Sequence, residues 1–242
     1  MSKAIIIIDY NNIFTCDSCT PEEIEMTLND VINRALDKSS QIDEFYIRIY
    51  GGWYQNEILT DRGSDVMLKF SQINPIPDLY GNRRIKGNIE FVEQIYGVDF
   101  SWKNTYREKA GPRLIIRKDK HHSHCTSNKE KCPIEILAKF TKNNARICNV
   151  DGCQTRNMDV FSQMGQKMVD TMMVCDILTF GEEGDTEFIY VLTDDVDLYP
   201  SLVLCCCKNP HVNLYVGTRN NKYQKEQNII SSNFNIQYFS LL

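Results

Sequence analysis

The N-terminal apolar run, Ala4 to Ile8, stops at Asp9 after five residues, whereas a membrane-spanning helix needs roughly 20. That start also lacks the layered pattern of an export signal. The expectation is a cytoplasmic protein with no membrane partner. Internal repeats and low-complexity tracts are missing as well, which speaks against solenoids and long polar linkers. Most unusually, no Lys or Arg stands anywhere from Met168 to Cys207, a stretch that carries nine Asp and Glu. Carboxylates gathered without counter-charge repel one another unless a cation is held among them.

What is present is a globular composition. Hydrophobic residues make up 42% and charged residues 24% of 242, enough for one large core with or without an insertion. The net charge of −5 gives no general attraction to nucleic acid. Its distribution says more, because Lys103 to Arg146 holds 12 Lys and Arg against four acids. A basic segment beside an acidic pole suits a metal-dependent enzyme acting on a polyanion. Uneven solvated faces would give the same imbalance.

The order of elements predicts an α/β fold with a central parallel sheet flanked by helices. Residues 4–8, 44–50 and 188–192 are runs of Ile, Val and aromatics, the pattern of strands buried on both faces. Thr20-Pro-Glu-Glu23 predicts a helix start with Thr20 as cap and Glu23 closing a capping box. The apolar stripe from Ile24 to Leu36 carries that helix to about Lys38. Residues 65–73 read as helical, 85–98 as a strand pair turning near Gly87, and 113–117 as a strand. A Met-rich stripe predicts one long helix from about Asn157 to Phe180. Further expectations are a helix from about Val196 and strands at 212–216 and 236–239. Cys205, Cys206 and Cys207 read as buried free thiols acting as small hydrophobes.

Four acids stand out in this frame. Asp9 ends the first strand, and Asn12 follows where it can hydrogen-bond the Asp9 carboxylate. Asp195 and Asp197 follow the strand 188–192, at the carboxyl ends where open α/β sheets bind ligands. An Asp-x-Asp before a helix is equally explained as a cap and a first-turn acid. Asp170 lies in Lys167-Met-Val-Asp170. Asp176 is six residues on, which on a helix is about 600° and so about 120° around the axis from Asp170.

Together these motifs resemble the NYN group of PIN-like nucleases. Ile8-Asp-Tyr-Asn-Asn12 resembles its first-strand motif, Lys167 to Asp170 with Asp176 its helix motif, and Val191 to Pro200 its hydroxyl-Gly-Asp-x-Asp-aromatic-x-Pro motif. The chain departs from that pattern at Asp194, where Gly is typical, and at Leu198, where Phe is usual. The resemblance covers three short stretches, with element order agreeing over residues 1–50 and 157–216. It implies a PIN-like, Rossmannoid sheet in one domain spanning 1–242, with an insertion at about 53–156. It also implies metal-dependent hydrolysis of phosphodiester bonds, most often in RNA. Asp9, Asp170 and Asp195 would ligate Mg²⁺ or Mn²⁺, Asp197 and Asp176 would complete the site, and Lys167 would face the scissile phosphate. Such hard cations take oxygen ligands and keep waters.

Within the insertion, Cys125, Cys132, Cys148 and Cys153 are separated by gaps compatible with a structural zinc site in an element at 118–156. His124 is an alternative ligand, and a set of unrelated thiols is the competing explanation. Arg113, Arg117, Lys118 and Lys120 beside it are candidate phosphate contacts. The expected function is therefore an endoribonuclease. The rivals are an RNA-binding or scaffold module of the same fold with an impaired site, and a Mg²⁺-dependent phosphatase. The last is disfavoured because Asn11 stands where such phosphatases carry a second Asp.

Overall fold

A computed structural model describes residues 2–14, 19–109, 115–116, 161–220 and 222–241. The chain divides into two compact units, Met1–Thr105 with Lys167–Leu242, and Tyr106–Gln166. The larger unit is built on a six-stranded parallel sheet. Its first strand, β1 (Ser2–Asp9), is buried along its whole length. That is why its residues are apolar without alternation. The helical turn α1 (Tyr10–Ile13) follows directly, then α2 (Pro21–Lys38) and β2 (Ile42–Tyr50).

The hairpin β3 (Tyr54–Gln55) and β4 (Ile58–Leu59) precedes α3 (Asp61–Ser71). A second hairpin, β5 (Leu79–Tyr80) and β6 (Arg83–Arg84), leads into the edge strand β7 (Lys86–Phe91). The smaller unit holds β8 (Tyr106–Lys109), β9 (Ile115–Ile116) and β10 (Phe161–Gln166), with β10 pairing antiparallel to both others. The larger unit resumes with α4 (Val169–Glu182), β11 (Thr186–Leu192), a 3-10 turn at Val196–Leu198 and α5 (Tyr199–Lys208). It ends with β12 (Asn213–Thr218), α6 (Gln224–Asn233) and β13 (Ile236–Ser240).

The strand order is β13-β12-β11-β1-β2-β7. The chain runs outward from β1 through β2 to β7, then returns to the other side of β1 and runs outward again through β11, β12 and β13. The direction reverses between β1 and β11, the switch point at whose carboxyl end open α/β sheets take ligands. One face of the sheet packs on α2 and α3, using Ala4, Ile6 and Ile8 against Ile24, Leu28, Val31 and Val66. The opposite face packs on α4 and α5, using Ile5 and Ile7 against Met173, Ile177 and Leu202.

The start of α2 follows its sequence signals. Thr20 Oγ1 accepts from Glu23 N at 3.3 Å, and Glu23 Oε2 accepts from Thr20 N at 3.0 Å. Thr20→Ala should lower stability by about 1 kcal/mol, a fall of a few degrees in the melting temperature measured by circular dichroism.

Three expectations are corrected. The long helix from Asn157 does not form as such, because residues 161–166 are a strand and the helix begins at Val169. Met168 between them has φ of 66°, which breaks any continuous helix. The strand pair at 85–98 is one strand, β7, pairing parallel with β2. Of the three consecutive thiols on α5, only Cys205 is buried and Cys207 is exposed, since successive helical residues point about 100° apart.

Candidate active site

Asp9 ends β1 and is fully buried. It caps α1: Oδ1 accepts from Asn12 N at 3.4 Å, and Oδ2 accepts a short bond from Asn12 Nδ2. The ring of Tyr10, the first residue of this turn, packs on Phe14 and Trp53 with centroids 5.2 Å and 5.6 Å away. Thr193, the residue after β11, donates its hydroxyl to Asp9 Oδ2 at 3.3 Å. The same hydroxyl accepts from Asp195 N at 3.0 Å. One threonine thus ties the two strand ends that flank the switch point. Its signal in the sequence was the hydroxyl position that opens the motif ending at Pro200, which the acid pattern overshadowed.

The electrostatics follow from burial. Desolvation pushes the Asp9 carboxyl up to about 6, the hydrogen bonds from Asn12 pull it back, and the charges of Asp170 and Asp195 raise it further. Asp9, Asp170 and Asp195 therefore share one region of negative potential. Asp170 is in the first turn of α4 and exposed, as is Asp197, while Asp195 is partly exposed. Asp195 Oδ1 accepts from Asp197 N at 2.9 Å and caps the 3-10 turn. Among the described residues, no three His, Cys, Asp or Glu side chains are already gathered as a metal-ligand set.

The chemistry of the donors nevertheless fits a hard divalent cation. A carboxylate raised by burial, and further by two neighbouring carboxylates, gains from a cation that all three can share. Lys167 precedes α4, with an exposed side chain and its backbone N–H bonded to Thr105 O at 2.8 Å. It is not on the helix one turn from Asp170, as the sequence suggested. The extra acid Asp194 has its own task. It accepts from Arg219 N at 2.9 Å and from Asn220 N at 3.1 Å, fixing the loop after β12.

Asp176 stands in a different environment. It is fully buried, and Arg48 Nη2 lies 2.8 Å from its Oδ2. Tyr50 donates a short hydrogen bond to the same oxygen, and Tyr96 N donates to Oδ1 at 2.8 Å. Both oxygens are thus engaged by the protein itself. Cys125, Cys132, Cys148, Cys153, His124, Arg113, Arg117, Lys118 and Lys120 lie outside the described residues. No protein-family model matches the chain, and no curated protein or solved structure matches it either.

Proposed function

We propose that this protein is a Mg²⁺- or Mn²⁺-dependent endoribonuclease of the PIN-like, NYN type. The observation that carries the reading is the placement of buried Asp9 at the switch point, with Asp170 and Asp195 near enough to raise its pKa. Asp9, Asp170 and Asp195, with Asp197 at the rim, would hold the cation. When bound, it supplies positive charge and Lewis acidity for phosphodiester hydrolysis. Asn12 and Thr193 fix the Asp9 carboxylate, so its lone pairs keep one orientation. That preorganisation spares reorganisation during the reaction. Asp9 is buried, while Asp170 and Asp197 are exposed and open to a polymer in solution. Lys167, outside the helix and exposed, is free to meet a phosphate oxygen.

The test is cleavage of labelled single-stranded RNA, structured RNA and DNA with Mn²⁺ or Mg²⁺. Asp195→Asn should lower cleavage by roughly 10²-fold while RNA affinity changes little. Equal turnover in wild type and variant would sink the assignment. The second reading is the RNA-binding module of the same fold with an impaired site. RNA binding without metal-dependent turnover in either protein would establish it.

A further inference from the structure

The helices that follow β11 and β12, α5 and α6, pack on the face opposite α2. On the α2 side, Arg34 and Lys38 of α2 lie over rings of β12 and β13. A cavity of about 140 Å³ opens there, lined by Arg34, Lys38, Tyr190, Tyr215, Gln237 and Phe239. It lies on mid-strand residues rather than at the strand ends that carry Asp9 and Asp195.

Its walls combine cations with rings. Arg34 and Lys38 are one turn apart on α2 and so share a face. The Arg34 guanidinium is 5.0 Å from the Phe239 ring centroid, and the Lys38 ammonium is 6.0 Å from that of Tyr215. Tyr190 and Tyr215 stack at 4.7 Å with an interplanar angle of 12°. Arg34 Nε is held by Asp30 Oδ2 at 2.9 Å, but its terminal nitrogens have no protein partner among the described residues. Lys38 likewise has no carboxylate partner there.

The decisive atom is the Tyr190 hydroxyl. Tyr190 is only 1% exposed, yet among the described residues its hydroxyl has no hydrogen-bond partner. A buried hydroxyl without a partner is costly in a folded protein. Burial and Tyr215 raise its pKa, and Arg34, which lines the same cavity, pulls against them. Two cations and the residue that carries this unspent hydroxyl line one cavity, beside an apolar ring wall.

We propose that this cavity binds a phosphate monoester attached to a small ring system. Its oxygens are received by Arg34, Lys38 and the Tyr190 hydroxyl, and its ring lies against Tyr215 and Phe239. A phosphate suits this set better than a carboxylate, because it offers three oxygens and up to two charges to three donors. The shared chemistry has two sources, a free mononucleotide or the 5′-phosphorylated end of an RNA.

The test is calorimetric titration of the full chain with AMP, adenosine, inorganic phosphate, and short RNAs bearing 5′-phosphate or 5′-hydroxyl. AMP or the 5′-phosphorylated RNA should bind at least about tenfold more tightly than inorganic phosphate, adenosine or the 5′-hydroxyl RNA. Tyr190→Phe keeps the stack and removes the unpartnered hydroxyl. It should melt no lower than wild type and weaken binding about tenfold. Lys38→Ala should weaken binding similarly, whereas Asp195→Asn should leave it unchanged, which separates this site from the nuclease proposal. Binding of AMP alone assigns the free nucleotide, and binding of the 5′-phosphorylated RNA alone assigns the chain end. No binding of either at millimolar concentration, or Tyr190→Phe binding as wild type does, overturns the proposal.

Discussion

Asp9→Asn is expected to remove metal-dependent cleavage, by on the order of 10³-fold or more, and at the same time to stabilise the protein when no metal is bound. The two effects have one cause. At pH 7 the folded protein must keep a carboxylate ionised where it is fully buried and faced by Asp170 and Asp195. A rise from 3.8 to about 6 corresponds to a cost on the order of 3 kcal/mol. Asparagine removes the charge and keeps the shape. It also turns one acceptor into a donor facing Asn12, a loss of about 1 kcal/mol. The net gain should be roughly 2 kcal/mol, seen as a melting temperature several degrees higher in chelator.

The pH dependence has a definite sign. Below about pH 4, Asp9 is protonated in both the folded and the unfolded chain, and the cost is absent. Between about pH 4 and 6 the unfolded chain loses its proton first, so stability falls as pH rises through this window. Wild type minus variant should show that slope, which cancels the contribution of the other carboxylates. Saturating Mg²⁺ or Mn²⁺ should reverse the order at pH 7, because only wild type gains from binding. That gain should shrink below about pH 6 as protons compete for the carboxylate. Thermal melts at pH 4.5 and 7 with and without Mn²⁺ decide the matter. A variant that melts below wild type in chelator at pH 7, or that still cleaves, contradicts the reading.

The parts of this molecule that were legible in the sequence are those where local chemistry and tertiary role agree. β1 and β11 read as buried strands because burial on both faces removes alternation. The start of α2 was readable to the residue because a capping box satisfies its first N–H groups locally. Asp9 with Asn12 was readable for the same reason, since cap and partner lie three residues apart. The failures lie where periodicity misleads. Met158, Phe161, Met164 and Met168 continue a helical spacing upstream of α4, yet Phe161–Gln166 is a strand. β7 carries Lys86, Gly87, Asn88 and Glu90, so polar that the sequence reads as a strand pair turning near Gly87 where one sheet strand runs. It can be so because it is an edge with partners on one side only. Proximity of Asp9 to Asp195 depends on which strands are neighbours, and no local pattern encodes that. Arg48 was hidden in the apolar run of β2, where a charge reads as an interruption rather than as the centre of a network.

That network leads to the second large effect. Arg48→Met should destabilise the protein by about 3–5 kcal/mol, lowering the melting temperature by roughly 10 °C. Arg48 is 1% exposed and donates in five directions. It reaches Tyr50 Oη at 3.1 Å, Tyr46 Oη at 3.2 Å, Glu90 Oε2 at 2.7 Å, Gln94 O at 2.6 Å and Asp176 Oδ2 at 2.8 Å. Methionine fills much of the volume but leaves the Asp176 carboxylate buried without its counter-charge. Burial already raises the Asp176 carboxyl even with Arg48 opposing it. In the variant it should rise further, so the folded form takes up a proton more readily and Arg48→Met should recover stability as pH is lowered. Arg48→Met with Asp176→Leu should regain a large part of the loss, because the unpaired charge is gone. The same series separates a structural Asp176 from a metal-ligating one. With Asp176→Asn, denaturation in urea should show a lower midpoint, while turnover per folded molecule stays near wild type. Asp170→Asn should instead lose turnover with only a small change in midpoint, since Asp170 is exposed and acts on stability chiefly through its charge beside Asp9. Loss of turnover in Asp176→Asn without loss of stability would instead place Asp176 among the metal ligands.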